Sequence, residues 1–250
     1  MLELTPDFIK EFAAYLSTEA GLRNGSIWAN CMWLKGVVMK AHYNRLIPRN
    51  PFIQFHISPN VKEREYLTED ELKAVMTHEF ADSKLAYIRD IFIFASFTAL
   101  SFVDIQELTN DNIVEVNGEK WILSKRHKTK VAFQVKLLDI PLQIVERYRP
   151  MQKDNRIFPG LNYWSICKPL KRMIRECGIT KSISFHCSRH GFATLALSKG
   201  MPIESVSRVL GHTNIVTTQL YAKITTQKLD NDLTMFGDKL SKTFNGITMS

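Results

Sequence analysis

Between Ile113 and Leu138 the chain carries three short runs with strand character, Ile113–Val116, Lys120–Leu123 and Phe133–Leu138, while the pattern on either side is helical. Asn117-Gly118 separates the first two runs. That dipeptide accepts the positive φ angles of a two-residue hairpin turn. A small antiparallel sheet follows, and the expected fold class is mainly α with a small antiparallel β-sheet (α+β).

The helical pattern falls into two parts. Phe8, Phe12 and Tyr15 recur at helical spacing between Thr5 and about Leu16, and Asn24 to about Tyr43 continue as a longer amphipathic helix. Ile47-Pro48-Arg49-Asn50-Pro51-Phe52 then breaks helix, and Asn60-Val61-Lys62-Glu63-Arg64-Glu65 has the polar, charged character of a linker. The expected organisation is a helical domain over 1–60, a linker over 61–66, a second domain over 67–224 and a tail over 225–250. Thr68-Glu69-Asp70-Glu71 reads as a capping box that starts the second domain. Leu85 to Thr98 is a mostly apolar helix, too short to cross a bilayer, and is expected at the centre of the core. After the strands come helices at Pro141–Arg149, Tyr163–Glu176, His186–Lys199 (stopped by Gly200), Ile203–Leu210 (stopped by Gly211) and Asn214–Ile224.

With 33 basic against 25 acidic residues the formal charge is +8, which points to an anionic partner, most commonly nucleic acid. Hydrophobic residues at 45% and charged residues at 23% fit a folded globular protein rather than a membrane protein or a disordered chain. Met1-Leu-Glu-Leu-Thr-Pro-Asp lacks the basic and then apolar regions of a secretory signal, so a cytoplasmic location is expected. Cys31, Cys167, Cys177 and Cys187 form no CxxC pair and no metal-site spacing, and read as reduced thiols.

The chemistry-bearing residues gather between His186 and Tyr221. His186-Cys187-Ser188-Arg189-His190 opens a helix, with His186 and Arg189 about one turn apart on one face, where both can reach a single phosphate. A guanidinium suits that task because its planar fork donates two hydrogen bonds and keeps its charge. Leu210-Gly211-His212 ends a short helix in a glycine turn that leaves His212 at an edge, and Tyr221 is expected inside the helix that follows.

His186-x-x-Arg189-His190-x-x-Ala193-Thr194, then Leu210-Gly211-His212, then Thr218-x-x-Tyr221-Ala222 resembles the C-terminal motif set of the tyrosine recombinase (integrase) family. The resemblance extends back through Thr98-Ala99-Leu100 with Asp104 and Leu108 to Tyr66-Leu67-Thr68 with Glu71-Leu72, and the opening helices resemble the family's core-site-binding domain. It implies a DNA recombinase that works through a 3′-phosphotyrosyl link, with no metal and no cofactor, for integration or excision of a mobile element. Tyr221 stands at the nucleophile's position and Arg189 at that of the second catalytic arginine. His186 and His212 match the two histidine positions, one for proton transfer and one for phosphate binding, in either order. Lys128, with Lys130 as its rival, matches the lysine that protonates the departing 5′ oxygen.

One position departs from the family. Its first motif reads Thr-Gly-Leu-Arg, whereas this chain has Thr98-Ala99-Leu100-Ser101, so Ser101 stands where a phosphate-binding arginine is expected. Serine donates one hydrogen bond without charge, and Arg89 and Arg126 lie in the right region to substitute. The alternative is a recombinase-fold DNA-binding accessory protein with weak or no strand transfer.

Duplex DNA is the implied partner, gripped by both domains, and a DNA-bound tetramer is the implied assembly. Lys35, Lys40, Arg45 and Arg49 are candidates for phosphate contact in the first domain; Lys125, Arg126, Lys130, Lys168, Lys171, Arg172 and Arg175 are candidates in the second. The tail places Leu229, Leu233, Phe236 and Leu240 at helical spacing, which in the family docks on a neighbouring protomer.

Overall fold

The structure, a computed structural model, describes residues 4–58, 65–127, 130–152, 154–221, 226–243 and 245. It divides into two compact units, Met1–Glu63 and Arg64–Ser250.

In the first unit, helix α1 (Pro6–Thr18) starts at Thr5, whose hydroxyl accepts from the Phe8 amide, and helix α2 runs from Asn24 to Tyr43. Ile9, near the start of α1, packs with Val38, Ile47 and Phe52, while Leu16, near its end, packs with Ile27 and Cys31. The two helices therefore run antiparallel and hold each other through two small apolar clusters.

The second unit opens with helix α3 (Glu69–Thr77). Its capping box is reciprocal, since Thr68 Oγ1 accepts from the Glu71 amide at 3.3 Å and a Glu71 carboxylate oxygen accepts from the Thr68 amide at 2.7 Å. Helix α4 (Ser83–Thr98) is buried on nearly every side, because its apolar run is too continuous to leave a wet face. It packs against three later helices, α6 (Asp139–Tyr148), α7 (Tyr163–Glu176) and α8 (His186–Ser198). Phe92, Phe94, Ile88 and Ile91 lie at the centre of the resulting core.

The α4 helix ends at Ala99 with a left-handed φ of 56°, a turn the family motif builds with glycine. Short helix α5 (Phe102–Gln106) follows at once. Strands β1 (Ile113–Val116), β2 (Glu119–Lys125) and β3 (Ala132–Lys136) form one antiparallel sheet in that order. The turn between β1 and β2 has φ of 54° at Asn117 and 76° at Gly118, the double positive φ that Asn-Gly favours.

Helix α9 (Ile203–Leu210) packs beside β3 and stops at Gly211, which is left-handed at φ 62°. The expected helix over Asn214–Ile224 is shorter than its sequence pattern suggests. Among the described residues of that span only α10 (Val216–Gln219) is helical, and Tyr221 follows it in a turn, its amide bonded to the Thr218 carbonyl. The β-branched run Val216-Thr217-Thr218 disfavours a longer helix, and Thr218 is drawn fully into the interior. Helix α11 (Thr226–Thr243) exposes Leu229, Leu233, Phe236 and Leu240.

Candidate active site

The two ends of the α9 turn and the first turn of α8 bring the sequence's candidates together. Arg189, on α8, donates from one terminal nitrogen to the Ala99 carbonyl at 2.8 Å and from the other to the Leu210 carbonyl. It therefore links the left-handed end of α4 to the C-terminus of α9, whose unsatisfied carbonyls carry partial negative charge. Burial, and then the nearby positive charge of Arg126, lower its pKa to about 10, so it stays charged at neutral pH.

His212 follows the Gly211 turn, and its Nδ1 lies 2.9 Å from the buried Thr218 hydroxyl, which fixes the ring. Burial pulls its pKa down to about 4, helped by the charges of Arg189, Arg126 and His186. This imidazole is neutral at working pH and can accept or relay a proton. His186 is exposed at the start of α8, and its ring sits 4.6 Å from that of His190. The His190 ring lies 5.1 Å from the ring of Tyr221, itself close enough to Arg189 to favour its charged form. His186, Arg189, His212 and Tyr221 thus share one neighbourhood, with His190 between His186 and the tyrosine.

Ser101 is not a free donor. It caps α5: its hydroxyl donates to Asp104 Oδ2 at 2.8 Å and accepts from the Asp104 amide, while its own amide donates to the same carboxylate. The Ser101-x-x-Asp104 spacing is a capping-box pattern, a signal that could have assigned the serine to this local duty.

The sequence offers Arg126 both as a phosphate contact in the basic run and as a substitute for the missing arginine. It is only 5% exposed. Along β2 the side chains alternate, with Leu123 and Lys125 outward and Ile122 and Ser124 inward, and Arg126 continues the inward set. Its Nη1 pairs with Asp104 Oδ2 at 2.7 Å, and its Nη2 donates to the Val209 carbonyl. Burial works against the Asp104 carboxylate, but the His127 amide, Arg126 and Ser101 together outweigh it and hold Asp104 below the usual aspartate range.

Lys128 lies outside the described residues, whereas Lys130 is exposed with φ of 56°. Lys125 is exposed, and Lys168, Lys171, Arg172 and Arg175 share one exposed face of α7 by their spacing. Arg172 is tied to Glu176 at 2.7 Å and to Asp82 at 3.4 Å. In the first unit Lys40, Arg45 and Arg49 are exposed and Lys35 is half-buried. Arg89, the other suggested substitute for the missing arginine, is committed elsewhere, to Asp90 at 2.9 Å and the His78 carbonyl at 2.9 Å. Among the described residues no cluster of three or more His, Cys, Asp or Glu side chains is placed to hold a metal ion, and no helix is long and apolar enough to cross a membrane.

Residues 65–228 match the phage integrase family, and residues 1–57 match the phage integrase SAM-like domain. The chain belongs to the tyrosine recombinase (phage integrase) family. Among relatives of this chain, tyrosine recombinase XerA of Pyrococcus horikoshii is 32% identical over 177 residues, covering 65% of this chain and 58% of that protein. Tyrosine recombinase XerC of Chlamydia trachomatis serovar L2 is 27% identical over 195 residues, covering 72% of this chain and 61% of that one. The chain thus spans less than two thirds of the length of these curated relatives. Its fold is that of the Tn1549 transposon integrase in complex with a circular intermediate DNA, at a TM-score of 0.79 and 18% identity over 93% of this chain and 86% of the other. XerH recombinase bound to a palindromic difH substrate gives a TM-score of 0.73 at 19% identity, over 95% of this chain and 74% of that one.

Proposed function

We propose that this chain is a site-specific DNA recombinase that integrates or excises a mobile element through a 3′-phosphotyrosyl intermediate on Tyr221. The observation that carries the reading is the grouping of Arg189, His212, His186 and Tyr221 around the end of α9, one guanidinium, two imidazoles and one phenol. In this reading the Tyr221 hydroxyl attacks the scissile phosphorus and gives up its proton to a neighbouring imidazole. The bond to the 5′ oxygen breaks, and that oxygen takes a proton from a hairpin lysine, Lys128 or Lys130. Arg189 donates to the non-bridging oxygens as charge builds, the usual electrostatic work of such a clamp. The neutral His212 serves as acceptor or relay. Rejoining reverses the steps with a new 5′ hydroxyl, so the ester conserves the bond energy and no cofactor enters.

Duplex DNA is gripped by both units, through Lys35, Lys40, Arg45 and Arg49 on the first and Lys125, Lys130 and the basic face of α7 on the second. These phosphate contacts give affinity that falls with salt. The family neighbours include recombinases solved on DNA, which supports the partner. The apolar stripe of α11 supports self-association on DNA as a tetramer.

The test is covalent trapping. Nicked suicide duplexes made from the protein's native flanking DNA, first verified for specific binding, are incubated with the wild type and with Tyr221→Phe, and adducts are read on a denaturing gel. The expected result is an adduct with the wild type and none with Tyr221→Phe. Specific binding without any wild-type adduct would favour the accessory DNA-binding reading instead.

A further inference from the structure

We propose that Arg126 supplies the second guanidinium of the phosphate clamp, delivered from the end of β2 to the place an arginine at position 101 would otherwise serve. The proposal rests on the recombinase reading above.

One shared acceptor and one pair of neighbouring carbonyls fix the position. Ser101 Oγ and Arg126 Nη1 meet the same oxygen, Asp104 Oδ2, at 2.8 and 2.7 Å, so the guanidinium sits beside the residue from which the family's arginine grows. At its other end, Arg126 Nη2 takes the Val209 carbonyl while Arg189 takes the next one, that of Leu210. Consecutive peptide groups therefore hold the two guanidiniums at the C-terminus of α9. A buried and a half-buried cation so placed repel, and Arg126 is a direct cause of the lowered basicity of both Arg189 and His212. An anion between them relieves that repulsion, and a phosphate gaining charge in a phosphorane relieves it most.

The arginine is also held ready and left with donors to spare. Its guanidinium lies over the Phe133 ring, 4.1 Å from the centroid. On another side it lies against Gly211, where an added Cβ would come within 2.9 Å of Nε, so the glycine admits it. Nε is a buried donor with no hydrogen-bond partner among the described residues. The guanidinium carries five N–H donors, and Asp104 and Val209 engage only its two terminal nitrogens. Orientation by Asp104, with capacity remaining, is what a preorganised clamp requires.

The experiment compares cleavage of two suicide duplexes, one with the ordinary scissile phosphodiester and one with a methylphosphonate there, which removes the non-bridging negative charge. For Arg126→Ala, the adduct rate on the phosphodiester should fall by about a hundredfold or more. The same variant should recover most of that loss, relative to wild type, on the methylphosphonate. Arg126→Gln, which keeps a donor for Asp104 without charge, should behave alike if the alanine variant folds poorly. The ratio of the two substrates is read within one preparation, so partial unfolding cancels. A purely structural arginine would slow both substrates equally, and that result, or undiminished cleavage of the phosphodiester, would overturn the proposal. A wild type that binds without forming an adduct defeats the recombinase reading, a separate outcome.

Discussion

Two buried aspartates in the second unit organise arginines in different ways. Asp90, 4% exposed, collects Arg89 at 2.9 Å, Arg147 at 2.7 Å and the Tyr148 hydroxyl at 2.8 Å. Asp104, 8% exposed, collects Arg126, the Ser101 hydroxyl and the His127 amide at 3.1 Å. Around Asp90 one carboxylate answers two cations, of which Arg147 keeps its side chain 56% exposed to water. Near Asp104, Arg126 is buried and Arg189 half-buried, and a buried nitrogen of Arg126 has no acceptor among the described residues. Burying cations without a matching anion is costly unless a ligand supplies one. The first network leaves one of its cations to water, whereas the second withdraws its cation from water.

That contrast can be broken by experiment. The largest expected effect is at Arg189: Arg189→Ala should slow adduct formation about a thousandfold, whereas Arg147→Ala should leave the rate per folded molecule unchanged. Equal effects in a trapping assay would erase the distinction. Next come the acids themselves. Asp90→Asn and Asp104→Asn should each cost about 3–5 kcal/mol in urea unfolding, because each leaves buried guanidinium charge unanswered. Only Asp104→Asn should also slow cleavage once corrected for the folded fraction; a matching loss in Asp90→Asn would argue against any special role for the second network.

A smaller effect concerns pH. His212 titrates near 4 in the folded protein against 6.5 unfolded, so the unfolded chain binds more protons between those values. Its contribution to stability is therefore complete above about pH 6.5 and lost as pH falls towards 4. Titration of the His212 ring by NMR should give that low value in free protein and a higher one on a bound duplex, since phosphate charge favours the imidazolium. A value near 6.5 without DNA would contradict both the burial of the ring and, after it, its cationic surroundings. The smallest effect is expected at Ala99, whose left-handed φ of 56° glycine adopts without strain. Ala99→Gly should raise stability by up to about 1 kcal/mol in the same urea assay; destabilisation would mean that its methyl packing outweighs the backbone.

Much of this was legible in the sequence because it depends on local rules. Asn117-Gly118 specifies its turn, Thr68 and Glu71 their cap, and Gly211 the stop of α9, each through residues within one turn of one another. His186 and Arg189 were legible for the same reason, being one helical turn apart. The length of α10 was not, because the burial of Thr218 and its neighbours' branching compete with a helical pattern that continues past them. Arg126 was legible from its basic run as one of two substitutes for the missing arginine, beside Arg89, with nothing in the run itself to choose between them. The alternation of β2 held the deciding message, since Ile122 and Ser124 mark the inward face four and two residues earlier. Its partners Asp104 and Val209 lie 22 and 83 residues away in sequence, and no local pattern connects them.

The paired carbonyls of Val209 and Leu210 bear on how integrase-like sequences are sorted into active and inactive. A rule that demands arginine at the column occupied by Ser101 tests where a side chain begins, whereas these carbonyls record where its guanidinium ends. A census built on the second criterion would ask whether any inward position on a neighbouring strand reaches the same peptide groups, and would keep chains of this kind among those to be assayed for cleavage.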